Sequence, residues 1–303
     1  MANTIISQEE WETRLAQRLD KPQNWKDVCD VRYSDTQTLV LPLISTANEP
    51  AVTTDQFTTA AARSDMTKVI PFVSVTQTTE TLQIISTDVD NVYIDYADQA
   101  QSNYASQMQM ADLLGKKIGE QVETRVLANH GNWTNFGDTG GGVLGLAATA
   151  FSSSTTNIDD IVSAIIREIQ VANGYKLYLE SGGFVVWRPK DWEFLVKFMQ
   201  ANGYSFADEA LRDGGKGRMG KEVMGLYHYV STLHNSNHVM AGVRRTQLLG
   251  LLRTTFGKIF RVEHPASSTA GFMSGTSVYS RLDYGLKVQT NVLPVLFDVN
   301  LNA

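Results

Sequence analysis

The chain has 303 residues, of which 43% are apolar and 19% charged, and a formal net charge of −6. That balance excludes a disordered or membrane-embedded chain and gives enough apolar residues for a sizeable core. An acidic surface also argues against a dedicated nucleic-acid binder, which normally shows a basic patch.

The opening "MANTIISQEEWETRLAQRL" carries no basic segment followed by an apolar run, and no stretch reaches the length of a membrane span, so folding is expected in the compartment of synthesis. Cys29 is the only cysteine, which excludes an internal disulfide and fits a reducing cytoplasm. In "SQEEWETRLAQRL", Trp11, Leu15 and Leu19 recur every four residues behind Ser7 and Glu10, a capping box, and predict a short amphipathic helix before Pro22.

Residues 39 to 85 turn strand-forming and polar, with "LVLPLIS" followed by "KVIPFVSVTQTTETLQIIST". Val73, Val75, Gln77, Thr79 and Thr81 alternate with Ser74, Thr76, Thr78 and Glu80, a period of two with little apolar content on either face. A ribbon of that kind is marginal alone, and its length predicts that another chain covers it.

The strongest pattern follows. Ala100, Tyr104, Met108, Ala111, Leu114, Ile118, Val122 and Val126 fall three or four apart and predict one helix about 45 Å long, with a narrow apolar stripe that lies across a layer of structure. Gly115 and Gly119, one turn apart, permit close backbone approach.

"GNWTNFGDTGGGVLGLAATAFSSSTT" reads as a loop and a boundary. Asn157 then caps "IDDIVSAIIREIQVAN", with Asp159 and Asp160 in the first turn, Ile158, Ile161, Val162, Ile165, Ile166 and Ile169 on one face, and Gly174 as its stop. "FVVW" predicts a strand buried on both faces. Pro189 starts a further helix with Trp192, Leu195, Val196 and Met199 inward. The segments "LYHYVS", "HVMAGV", "FGKIFRVEH", "SVYSRLDYGLKVQT" and "PVLFDVNL" read as closing strands.

Catalytic signatures are weak. "GKGRMGKE", residues 215 to 222, matches a phosphate-binding loop except at Glu222, where a hydroxyl is needed for magnesium, and polar residues instead of a buried strand precede it. The basic groups Lys216, Arg218 and Lys221, and the pair Arg244 and Arg245, read as solvated surface charge. His234 and His238 have zinc-ligand spacing, but Asn235, Ser236 and Asn237 between them favour a hairpin turn and no catalytic glutamate accompanies them. There is no nucleophile elbow, and the pairs Asp159 with Asp160 and Asp88 with Asp90 read as helix starts and turns. No catalytic, cofactor or metal residue is assigned, and no enzyme activity is expected.

The order of elements carries a resemblance. "YIDYADQAQSNYASQMQMADLLGKKIGEQVETRVLA", "NIDDIVSAIIREIQVANGYKLYLESGGFVVWRPKDWEFLVKF" and "GRMGKEVMGLYHYVST" resemble the long helix, the helix–strand–helix unit and the glycine turn of tailed-phage major capsid proteins. The resemblance implies an α+β chain of Hong Kong 97-like fold. Residues 1–50 would be an N-terminal arm, 51–92 an extended β-ribbon loop, 93–154 with 266–303 a peripheral domain whose long spine helix covers 97 to 130, and 155–265 an axial domain.

It further implies self-assembly into hexamers and pentamers of an icosahedral shell around double-stranded DNA, which is touched without sequence specificity. Portal and scaffolding or decoration proteins would be partners, with no cofactor and no membrane. Such shells assemble in the host cytoplasm and end in the virion. Arg63, Lys68, Lys216, Arg218 and Lys221 are the candidate contacts between subunits, and Lys68 is the candidate donor for the isopeptide cross-link some relatives form. An encapsulin-type compartment shell is the alternative within the same resemblance; a nucleotide-dependent enzyme and a monomeric binding protein are rivals outside it.

Overall fold

The computed structural model describes residues 12–13, 15, 24–44, 77–95, 104–136, 158–172, 174–203, 222–233, 238–265, 274–288 and 295–300. Glu12, Thr13 and Leu15 are helical and Leu15 is fully buried; the predicted capping box, Ser7 with Glu10, lies outside the described residues.

A five-stranded sheet forms the centre. Its strands are β5 (Thr134–Phe136), β12 (Leu296–Asn300), β8 (His238–Val243), β6 (Gly183–Trp187) and β7 (Leu226–Val230), neighbouring one another in that order. β6 is the predicted "FVVW" strand, and all five of its residues are buried. Alternation splits them between two cores. Val185 and Trp187 enter one with α3 (Ile158–Val171) and α5 (Pro189–Ala201), while Phe184 and Val186 enter another with the spine helix α2 (Tyr104–Ala128).

The helices follow their sequence patterns. Ile158, Ile161, Val162, Ile165 and Ile169 of α3 are buried against Trp192, Leu195, Val196 and Met199 of α5, each such side chain contributing about 1.5–3 kcal/mol over an exposed one. α2 runs for 25 residues, about 37 Å at 1.5 Å per residue, and its stripe of Ala111, Leu114, Ile118, Val122 and Val126 is buried. It is shorter than expected at its end because Asn129–Asn132, containing Gly131, tighten into a 3-10 turn.

A second five-stranded sheet joins β1 (Cys29–Ser34), β9 (Gln247–Leu252), β11 (Gly275–Val288) and β10 (Ile259–His264) in sequence, with β4 (Ser86–Asp95) paired along β11. Part of the predicted ribbon is described: β2 (Thr38–Ile44) pairs antiparallel with β3 (Gln77–Gln83), and residues 45–76 lie outside the described residues. At its base Leu41 and Leu82 pack on Leu248, while Val40 stays 60% exposed.

The elements not legible in the sequence were α1 (Asn24–Val28), β1, β5 and β9, together with the short helix α4 (Tyr175–Ser181) that follows Gly174. The predicted hairpin between "LYHYVS" and "HVMAGV" is also corrected. β6 lies between β7 and β8, parallel to one and antiparallel to the other, so the chain crosses over a strand there. With every side chain of β6 buried, its backbone N–H and C=O groups have no water to pair with, so it takes a partner strand on each side.

Candidate interaction surface and buried polar sites

The ribbon rests on a glycine pair. Gly250 of β9 lies opposite Gly285 of β11, and a Cβ on Gly285 would stand 2.2 Å from the Gln83 carbonyl oxygen. Only two bare backbones let β3 lie this close to the sheet. Lys287 Nζ then donates to the Thr81 carbonyl at 2.9 Å and pairs with Glu80 at 3.3 Å.

The spine helix is clamped to β4 by charge. Arg125 donates to both oxygens of Asp88, Nε to Oδ2 at 3.1 Å and Nη2 to Oδ1 at 3.0 Å, and Lys117 meets Asp90 at 3.5 Å. Asp88 and Asp90 therefore sit on a strand and hold a helix, where turns were expected. The forked Arg125 pair is the stronger of the two because both N–H groups align with one carboxylate.

On the β4–β11–β10 side of the second sheet, one face looks into the core and the other is partly open to solvent. Tyr93, Ser277 and Val262 stand side by side on β4, β11 and β10, with Asn91, Tyr279 and Phe260 in the next row of that face. Tyr93 and Val262 remain about two-fifths exposed, at 40% and 41%. Phe260 stacks on Tyr279 at 5.3 Å, and the surface dips into a cavity of about 410 Å³ lined by Tyr93, Val262, His264 and Tyr279. A contiguous apolar face of this sort marks an interaction site, unlike single exposed apolar residues.

Arg244 departs from expectation. Its guanidinium stacks 4.5 Å over the Tyr227 ring and lies 3.7 Å from Asp27, so it fastens the segment after β8 to α1 and is no free surface charge. Arg245 takes a left-handed φ of 60° and its N–H donates to the Val28 carbonyl at 2.7 Å.

Two polar constellations, one fully and one partly buried, went unseen in the sequence. Trp187 Nε1 donates to His228 Nδ1 at 2.8 Å, which leaves the proton of His228 on Nε2, donating to the Val223 carbonyl at 2.9 Å. Full burial pushes this imidazole down to about 4, against the smaller opposing effect of its backbone bond. In the other, Asp298 accepts from His130 Nδ1 at 2.8 Å through Oδ2 and contacts His238 Nδ1 at 2.9 Å through Oδ1. His238 thus meets residues of the spine-helix turn and β12; its spacing partner His234 lies outside the described residues, as do Arg63, Lys68, Lys216, Arg218 and Lys221. Glu222, the last residue of the glycine-rich loop, is exposed beside the Tyr178 hydroxyl at 3.4 Å.

Cys29 is buried, and desolvation pushes its thiol far up, with Asp30 adding to the shift, so it is no nucleophile. Among the described residues no helix is long and apolar enough to cross a membrane.

No protein-family model and no curated protein matches the sequence. Solved structures do match. The capsid of the cyanophage P-SCSP1u is 13% identical, with a TM-score of 0.57 over 93% of this chain and 89% of that one. The capsid of Ralstonia phage GP4 is 9% identical, with a TM-score of 0.58 over 93% and 92%. A virus-like particle from Pyrococcus furiosus is 11% identical, with a TM-score of 0.55 over 96% and 98%. Likeness that spans almost the whole of both chains at such low identity is likeness of backbone architecture: the chain carries the tailed-phage major capsid fold.

Proposed function

We propose that this chain is a major capsid protein that assembles into the icosahedral shell enclosing the double-stranded DNA of a tailed bacteriophage. The observation that carries the reading is end-to-end likeness to phage capsids, with TM-scores of 0.57 and 0.58. An apolar sheet face and a ribbon with only a small core of its own support it, because both gain partners in a shell. Many weak contacts then act together, and closure of the lattice replaces a tight pairwise bond.

On this reading residues 1–50 form the N-terminal arm, 51–92 the extended loop, 93–154 with 266–303 the peripheral domain and 155–265 the axial domain. Arg63, Lys68, Lys216, Arg218 and Lys221 are its charged subunit contacts. Portal and scaffolding or decoration proteins complete the particle, which assembles in the host cytoplasm. The chain itself does no chemistry. A net charge of −6 suits a container that must not grip its DNA.

The likeness to the Pyrococcus furiosus virus-like particle favours a second reading, an encapsulin-type compartment. Negative-stain microscopy of the purified chain, expressed alone and with its neighbouring gene products, separates the readings. Closed shells containing nuclease-protected DNA are expected. Shells holding protein and no DNA would establish the compartment, and a monodisperse monomer under both conditions would refute both.

A further inference from the structure

His130, His238 and Asp298 converge from three distant segments. Asp298 and His238 lie on the face of the central sheet that looks toward the spine helix, since they alternate with Phe297 and Val299 on β12 and with Val239 on β8, which face the α3–α5 core. They are diagonal neighbours across the β12–β8 ladder, at a distance that lets longer side chains touch. His130 descends onto them from the 3-10 turn that ends the spine helix, its ring 4.9 Å from that of His238.

The donor set selects a ligand class. Two imidazole nitrogens and one carboxylate oxygen suit zinc and its first-row neighbours, whereas magnesium and calcium favour oxygen alone. The Asp298 side chain is only 4% exposed. A buried carboxylate is held best by a compensating positive charge, which a divalent ion supplies at closer range than hydrogen bonds alone. The rings of His130 and His238 are 15% and 22% exposed, which leaves one side open for a water as fourth ligand.

We propose that His130, His238 and Asp298 bind one divalent transition-metal ion of zinc's class. The three donor atoms lie within 4.8 Å of one another, and a tetrahedral ion with bonds of about 2.0–2.1 Å sets its ligands about 3.3 Å apart. Small rotations of the two rings therefore close the site. Each ligating imidazole keeps its single proton on the nitrogen facing away from the ion. The bound ion ties the end of the spine helix to β8 and β12, so those three segments open together or not at all. The inference does not depend on the shell reading, because binding is measured on single subunits as well as on any assembly.

The test uses the full-length, untagged chain, stripped with chelator and titrated with zinc by calorimetry and thermal melting. One equivalent is expected to bind, raising Tm by about 5 °C once free zinc is a hundredfold above Kd; equal magnesium leaves Tm unchanged. His130→Gln, at a half-buried turn, keeps a donor for Asp298 and should fold with an unchanged metal-free melt yet lose the zinc shift. Asp298→Asn should lose it as well, and His130→Gln decides if that variant fails to fold. His234→Gln should bind as the parent does. Absence of saturable binding, or full binding by His130→Gln, would overturn the proposal. So would loss of binding on His234→Gln, which would place the ion on the local histidine pair.

Discussion

At the scale of single residues, His228 sets an acid limit on the fold. It is fully buried between Trp187, stacked at 6.2 Å, and Trp192, tilted at 5.9 Å, and its imidazole is held down to about 4 from an ordinary 6.5. The folded state thus keeps it neutral where the unfolded chain already binds a proton. Its contribution is complete above about pH 6.5 and is lost as pH falls toward 4, by about 3 kcal/mol in all. Urea melts at pH 7, 5.5 and 4.5 should show that decline. In His228→Phe it should be flatter, on a pH 7 stability lower by about 2 kcal/mol or more, since Trp187 Nε1 and the Val223 carbonyl lose their partner. An unchanged acid slope in the variant would assign the sensitivity to other groups. None of this was legible in "LYHYV", where the histidine looks like one polar residue on an alternating strand. Nor was the His130, His238 and Asp298 cluster: spacing along the chain shows only His234 beside His238, and the actual neighbours arrive through sheet pairing and the end of a helix.

At the scale of elements, legibility followed the range of the forces. α2, α3 and α5 bury stripes written every three or four residues, and β6 is a bare apolar run, so each could be read from its own segment. β1 is polar, with Asp30 paired to Arg32, and becomes a strand because β9 lies parallel beside it. β9, "QLLGLL", is buried at every residue, and its glycine obscured it. That glycine has a use: with Gly285 it makes the flat seat on which the ribbon base rests. A methyl on Gly285 meets backbone at 2.2 Å, which no rotamer change relieves. Gly285→Ala should therefore lift the base of the ribbon, destabilise the chain by about 1–3 kcal/mol, and speed limited proteolysis at β2 and β3. A proteolytic pattern and melt identical to the parent would mean that the ribbon does not depend on this seat.

At the scale of the whole molecule, the order of elements was legible when no single motif was. Among the described residues the β2–β3 ribbon, the long helix α2 and the helix–strand–helix unit appear in the predicted order, and the architecture they build is that of capsids only 9% and 13% identical. What composition left hidden was which surface would be used, because an exposed sheet face is defined by register among β4, β11 and β10 and not by any one of their sequences. Register places Tyr93 and Val262 on either side of Ser277 and partly in solvent, above a core face that holds Ile94, Val278 and Ile259. On the proposed shell reading, a second copy of this chain is the occupant assigned to that face. Val262→Glu separates folding from assembly. At a half-exposed strand position the change should alter the stability of the subunit by no more than about 1 kcal/mol. In a subunit contact, the same carboxylate would be desolvated with no partner, and the concentration needed for assembly should rise at least about tenfold. Sedimentation of the variant at graded concentrations reads this directly. Assembly at the parent's concentration would remove this face from the contacts of the shell, whereas a normally folded subunit that stays dissociated would establish it as a contact between subunits.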